Sequence, residues 1–156
     1  MSALGLFLEF PAAAIVAVAW VFALTSIRSL PARIPTHFGL NGAADASGPA
    51  TSLWLLPSVI TATFVLLSAV QLMPPRYMNL PVKITEHNRE CVYALAGTML
   101  TALKVCTLLL LLTAEWGSID AATRGSLNPL FFPSIAVLVI LNIGLMSYFT
   151  RKMRAV

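Results

Sequence analysis

Charge is scarce in this sequence and unevenly placed: 10% of the residues are Asp, Glu, Lys or Arg, against 58% that are apolar. That balance lies outside the range of soluble domains, whose surfaces need far more charge. Thiols are scarce too. Cys91 and Cys106 fall on one expected helix, about 22 Å apart at 1.5 Å per residue, too far to bridge. CxxC pairs and Cys/His clusters are lacking, which argues against structural zinc, and both cysteines read as inert buried thiols. The segments that mark a catalyst are missing as well. There is no GxSxG elbow, HExxH, phosphate loop or dinucleotide fingerprint, so no catalytic residue and no cofactor is expected. The N-terminal run MSALGLFLEFPAAAIVAVAW has no basic flank and is longer than a secretion signal's apolar region, so it reads as a retained helix. Lipidation motifs, internal repeats and low-complexity tracts are not found.

What the sequence does hold is four long apolar runs, at residues 3–24, 53–73, 91–112 and 129–149. Each is long enough to cross about 30 Å of hydrocarbon. The expected fold is an all-α integral membrane protein, a single domain over residues 1–156. Its four-transmembrane-helix bundle carries an ordered extracytoplasmic loop between the first and second helices. The net charge of +4 then concerns orientation and lipid headgroups rather than nucleic acid. With both termini cytoplasmic, Arg76, Lys83, Arg89, Arg151, Lys152 and Arg154 lie inside, and Arg28, Arg33 and Arg124 outside, which satisfies the positive-inside rule. Pro11, Pro57 and Pro133 are expected in first helical turns, where a missing N–H costs little. Ala13 with Ala17, and Ala94 with Thr98 and Ala102, suggest small-residue packing faces.

The first loop, LPARIPTHFGLNGAADASGPA, combines turn residues with apolar Leu30, Ile34, Phe38 and Leu40, so an ordered segment packed at the membrane surface is expected. Its pattern LP..IP.HF...G..D, carried by Leu30, Pro31, Ile34, Pro35, His37, Phe38, Gly42 and Asp45, resembles the bacterial domain-of-unknown-function family numbered 1648. That family is related to the N-terminal part of SdpI-type immunity proteins. A second block, NLPVKITEHNRECVYALAGTMLTALK, is similar to the family in Asn79, Pro81, Thr85, Asn88, Arg89, Tyr93 and Lys104. The resemblance implies a multi-pass protein of the bacterial inner (plasma) membrane and a bond with immunity. SdpI-type proteins carry further helices after this module, whereas this sequence continues for one more.

Among individual residues, His37, Asn41 and Asp45 recur every four positions in the loop and form an expected outer polar site. A His with a carboxylate suits a ligand, a proton or a divalent metal, for which His37 and Asp45 are the only candidates. The blander reading has His37 and Asp45 closing turns. Lys104, deep in the third helix, is expected to face the interior and find a partner among Glu115, Asp45 and Asp120, forming the charged floor of that site, or else to snorkel. Glu9 is expected to pair with Arg89 or the RKMR tail. Thr85, followed by Asn88, reads as a helix cap. Pro35, Phe38, Gly42, Asn79, Asn88, Arg89 and Asn142 are read as structural or anchoring, with Asn142 bonding across helices. The functional expectation is a module binding, sensing or protecting against an extracytoplasmic peptide or small molecule. A small transporter or metal-assisted enzyme, and a scaffold subunit or homo-oligomer, remain as alternatives.

Overall fold

The computed structural model describes residues 3–39, 41–74 and 77–156, with side chains of the first helix from Phe7 onward. Leu40 and Arg76, used above in reading the loop and the orientation, lie outside the described residues. Among the described residues, four helices are long and apolar enough to cross a membrane. They are α1 (Ala3–Ser26), α2 (Leu55–Leu72), α3 (Arg89–Arg124) and α4 (Phe131–Arg154). Helices suit an apolar chain in lipid, since each satisfies its own backbone bonds.

Between α1 and α2 the chain forms a hairpin of two antiparallel strands, β1 (Arg33–Phe38) and β2 (Ala44–Pro49), followed by a short 3-10 turn over Ala50–Trp54. The register runs from Arg33 opposite Pro49 to Phe38 opposite Ala44, with irregularities on either side of His37. Gly42 supplies the positive φ of 77° that the turn needs. Its carbonyl accepts the Leu127 N–H at 3.1 Å, tying the turn to the chain between α3 and α4. The hairpin's buried residue, Ile34, packs with Ala23 and Leu53, and Ile119 and Ala122 of α3 close the same cluster.

The third helix departs most from expectation. It runs 36 residues instead of stopping near residue 112, because the polar stretch Thr113–Arg124 contains no proline and its one glycine, Gly117, stays helical, until Gly125 caps the helix at φ 81°. Glu115 and Asp120 are therefore helical, not loop residues. α3 is also the centre of the molecule: α1 and α2 pack on it and on each other, whereas α4 packs chiefly on α3 alone. Leu108 sits among Ala12, Ile15, Ala19 and Ile60 on one side. On the α4 side, Val92 and Ala96 meet Phe149 and Met153. Gly117 lets α4 approach closely, since a Cβ there would lie 2.3 Å from the Phe131 ring.

Two packing expectations are corrected. Ala13 and Ala17 are exposed, and the buried small face of α1 is instead Ala12, Ala19 and Ala23. Pro11 lies in the interior of α1, since the helix begins at Ala3. Neighbouring helices and local adjustment let a membrane helix carry such a proline. Pro57 and Pro133 do fall in first turns.

Tyr93 and Trp116 on α3 are 23 residues apart, about 34 Å along the axis. Trp20 and Trp54, in ring contact at 6.1 Å, lie at the hairpin end, and Tyr148 with Lys152 over its ring lies at the opposite end. These aromatics mark the two interfaces. α2 does not reach the second: Gln71, next to its last residue, bonds Thr101, which is about 12 Å short of Tyr93 along α3.

Candidate functional site

The ionisable residues gather at two separate places. One is a cluster near the midplane, where Lys104 is 0% exposed and stands about 16 Å along α3 from Tyr93 and about 18 Å from Trp116. A buried ammonium needs acceptors for its three protons. Lys104 Nζ donates to Glu9 Oε1 and Oε2 at 2.7 and 2.6 Å, to Ser68 Oγ at 3.1 Å and to Gln71 Oε1 at 2.7 Å. The Phe64 ring adds a face 5.1 Å away. Gln71 Nε2 then donates to Thr101 Oγ1 at 2.7 Å, and that hydroxyl donates to the Gly97 carbonyl at 3.0 Å. Three helices are thus joined through one lysine.

This arrangement corrects the expected partners. Lys104 pairs with neither Glu115, Asp45 nor Asp120, and Glu9 pairs with neither Arg89 nor the basic tail. α1 and α3 run parallel, which sets position 9 beside position 104. Glu9 was legible as an intramembrane charge, but Ser68 and Gln71 were missed, although a Ser and a Gln three residues apart on an apolar helix were the available signal.

The second place is the hairpin. His37 Nδ1 and Asp45 Oδ1 lie 2.5 Å apart across the strands, with side chains 72% and 53% exposed. Asn41 is not with them: its Oδ1 accepts the Ala43 N–H at 3.1 Å, so it shapes the turn. Pro35 and Phe38 lie in β1, beside the irregular register at His37. Arg33 donates to the Ser47 carbonyl at 2.9 Å, bracing the two strands. Among the described residues no group of three or more metal-ligating side chains occurs, so His37 and Asp45 stand as two donors without a third. Nor does the hairpin cover Lys104. It packs at the level of Ile119 and Ala122, about 22 Å farther along α3 from Lys104 to Ile119. The expected composite of His37, Asn41 and Asp45 above Lys104 is not assembled.

Between the two places, Glu115 is 0% exposed and neither carboxylate oxygen has a hydrogen-bond partner. Eleven residues beyond Lys104 it returns to nearly the same helical face. Asp120 Oδ1 accepts from Arg124 Nε at 2.7 Å on the same helix.

The remaining residues lie elsewhere. Asn142 Nδ2 donates to Cys106 Sγ at 3.2 Å and to the Leu138 carbonyl at 3.3 Å, joining α4 to α3. Asn88 and Thr85 exchange bonds, Thr85 N–H to Asn88 Oδ1 at 2.8 Å and Asn88 N–H to Thr85 Oγ1 at 3.3 Å. The helix proper starts at Arg89, with Asn88 at its cap position. Asn79 and Arg89 are exposed. Cys91 is exposed and only Cys106 is buried, which corrects the reading of both thiols as buried.

No solved structure matches the chain. An uncharacterised protein of the archaeon Archaeoglobus fulgidus is 32% identical over 88 residues, covering 48% of this chain and 48% of its own. The chain thus spans about half the length of the curated relative it matches. The second block, Asn79 to Lys104, lies beyond the region that matches a family model. Residues 14–61, which run from α1 through the whole hairpin into α2 and include Leu30 to Asp45, match the family described as domain of unknown function DUF1648.

Proposed function

We propose that this multi-pass membrane protein is a binding module for an extracytoplasmic polypeptide, with the hairpin as its receptor surface. The observation that carries this reading is a two-stranded sheet held firmly on one side and open on the other. Ile34 and the Gly42–Leu127 bond fix it to the bundle, while β2 is exposed along nearly its whole length. An exposed strand edge offers unpaired backbone donors and acceptors, to which an extended peptide adds as a further strand. The His37–Asp45 pair beside it supplies charge for selection. A protective role of the immunity kind is one use of such capture. The orientation that sets the hairpin outside rests on the distribution of Lys and Arg.

The test is a photoreactive residue at Ala44 or Ala46, irradiated in membranes of the native cell with its own secreted polypeptides present. The expected product is a crosslinked polypeptide, its yield falling when His37 and Asp45 are both replaced by alanine. The same probe at lipid-facing Val139 is expected to take only lipid. Equal products at all three positions would overturn the reading.

A further inference from the structure

At the end of the molecule where α1 begins and α4 ends, a groove of about 620 Å3 runs along α3 beneath the end of α2. Its walls include Gln71, Met78, Glu90, Tyr93, Gly97 and Leu100. We propose that this groove holds one acyl chain of an amine-headed phospholipid, with the ammonium of its headgroup on Glu90.

Three observations define the occupant. The first is depth. α2 stops about 12 Å short of the Tyr93 level, so the space beneath it lies within the bilayer, where hydrocarbon and not water fills an apolar concavity. The second is length. From Tyr93 at the interface to Leu100 the groove follows seven residues of α3, about 10 Å, which lies within the roughly 15 Å that one leaflet's chains span. The third is charge. Glu90 is the one charged residue among the described residues lining the groove, and it stands at the interfacial end, where headgroups lie. A carboxylate there accepts a hydrogen bond from a primary ammonium and repels an anionic headgroup.

The floor of the groove is kept open by the absence of a side chain. A Cβ on Gly97 would meet nothing within 4 Å, so the space beside it is empty of protein. The Gly97 carbonyl is the last acceptor in the chain from Lys104 through Gln71 and Thr101. A chain lying on Gly97 and Gln71 therefore seals the midplane cluster from the leaflet. This inference is independent of what the hairpin binds.

Native mass spectrometry of the whole chain, released from mixed micelles containing equal phosphatidylethanolamine and phosphatidylglycerol, tests it. One retained phosphatidylethanolamine per chain is expected, in preference to phosphatidylglycerol by about tenfold, the ratio that one charged hydrogen bond supports. Gly97→Leu is expected to abolish retention by filling the floor, and Glu90→Gln to keep a bound lipid but lose the headgroup preference. Leu100→Trp blocks the same groove one helical turn farther along α3, should Gly97→Leu fail to fold. Retention unchanged in folded groove-filling variants, a preference for phosphatidylglycerol, or no lipid retained by the wild type would each overturn the proposal.

Discussion

Lys104 shows how much a single charge can organise when no water is available to it. In lipid the ammonium must bring its own acceptors, and Glu9, Ser68 and Gln71 are recruited from two other helices. Removing the lysine leaves the Glu9 carboxylate, 26% exposed, in the membrane without its partner, at a cost of up to about 3–5 kcal/mol. Lys104→Met is therefore expected to lower thermal stability in detergent severely, and the double variant Glu9→Gln with Lys104→Met to recover most of the loss. Additive losses in that double-mutant cycle would show that the two residues do not act as a pair. His37 and Asp45 contrast with this. Their pair is exposed and worth at most about 1 kcal/mol, so His37→Ala is expected to leave the melting temperature nearly unchanged while reducing capture at the hairpin. The spacing of the loop put His37 with Asp45, but the partners of Lys104 were not readable from spacing alone. Glu9 and Lys104 are 95 positions apart, and which face of α1 meets α3 is decided by side-chain packing that hydropathy does not encode.

Elements are held in place by glycines that do different work. At Gly117 the Phe131 ring occupies the place of a side chain, so Gly117→Ala must displace that ring from its seat between α3 and α4, an overpacking cost of about 1–3 kcal/mol. Gly97→Ala meets nothing, removes helix-destabilising backbone freedom, and is expected to hold or raise stability by up to about 1 kcal/mol. Paired thermal unfolding of the two variants checks the contrast, and equal effects would deny the Gly117–Phe131 contact its importance. In the hairpin, a side chain at Gly42 meets a positive φ, a left-handed conformation that costs roughly 1–2 kcal/mol. Gly42→Val is expected to loosen the turn, read as faster hydrogen exchange at the Leu127 amide, which Gly42 bonds. The turn chemistry of this loop was legible from Gly39, Asn41 and Gly42, and its apolar residues marked it as ordered. The strands were not. Pro35 within β1 argues against a strand, and the pairing depends on a partner six or more residues away.

At the scale of the whole molecule, the two ends differ in construction. One is closed by the hairpin and by the turns of α3 beyond Trp116. At the other, α2 stops early and a groove opens along α3. The exposed Cys91 and the buried Cys106 provide internal reporters of this. A membrane-impermeant maleimide is expected to label Cys91 from one side only and to leave Cys106 untouched. In a Cys91→Ser background, Ala44→Cys is expected to label from the opposite side. Labelling of Cys91 and Ala44→Cys from the same side would contradict the arrangement of ends described here.

Hydropathy alone determined that the chain has four helices long and apolar enough to cross a membrane, because runs of about twenty residues with at most one charge have no cheaper environment than lipid. Loop composition likewise marked the first loop as folded. What only the tertiary structure decided was which ionisable groups meet. Lys104 was visible as a costly charge, yet its pairing with Glu9 follows from the parallel packing of α1 and α3, and its distance from the hairpin follows from the unbroken length of α3. In lipid, helices associate through close fit and polar contacts rather than through a hydrophobic face. Amphipathic patterning that would reveal inward surfaces in water is therefore weak in such a sequence, and the midplane cluster and hairpin appear as two sites only once the helices are packed.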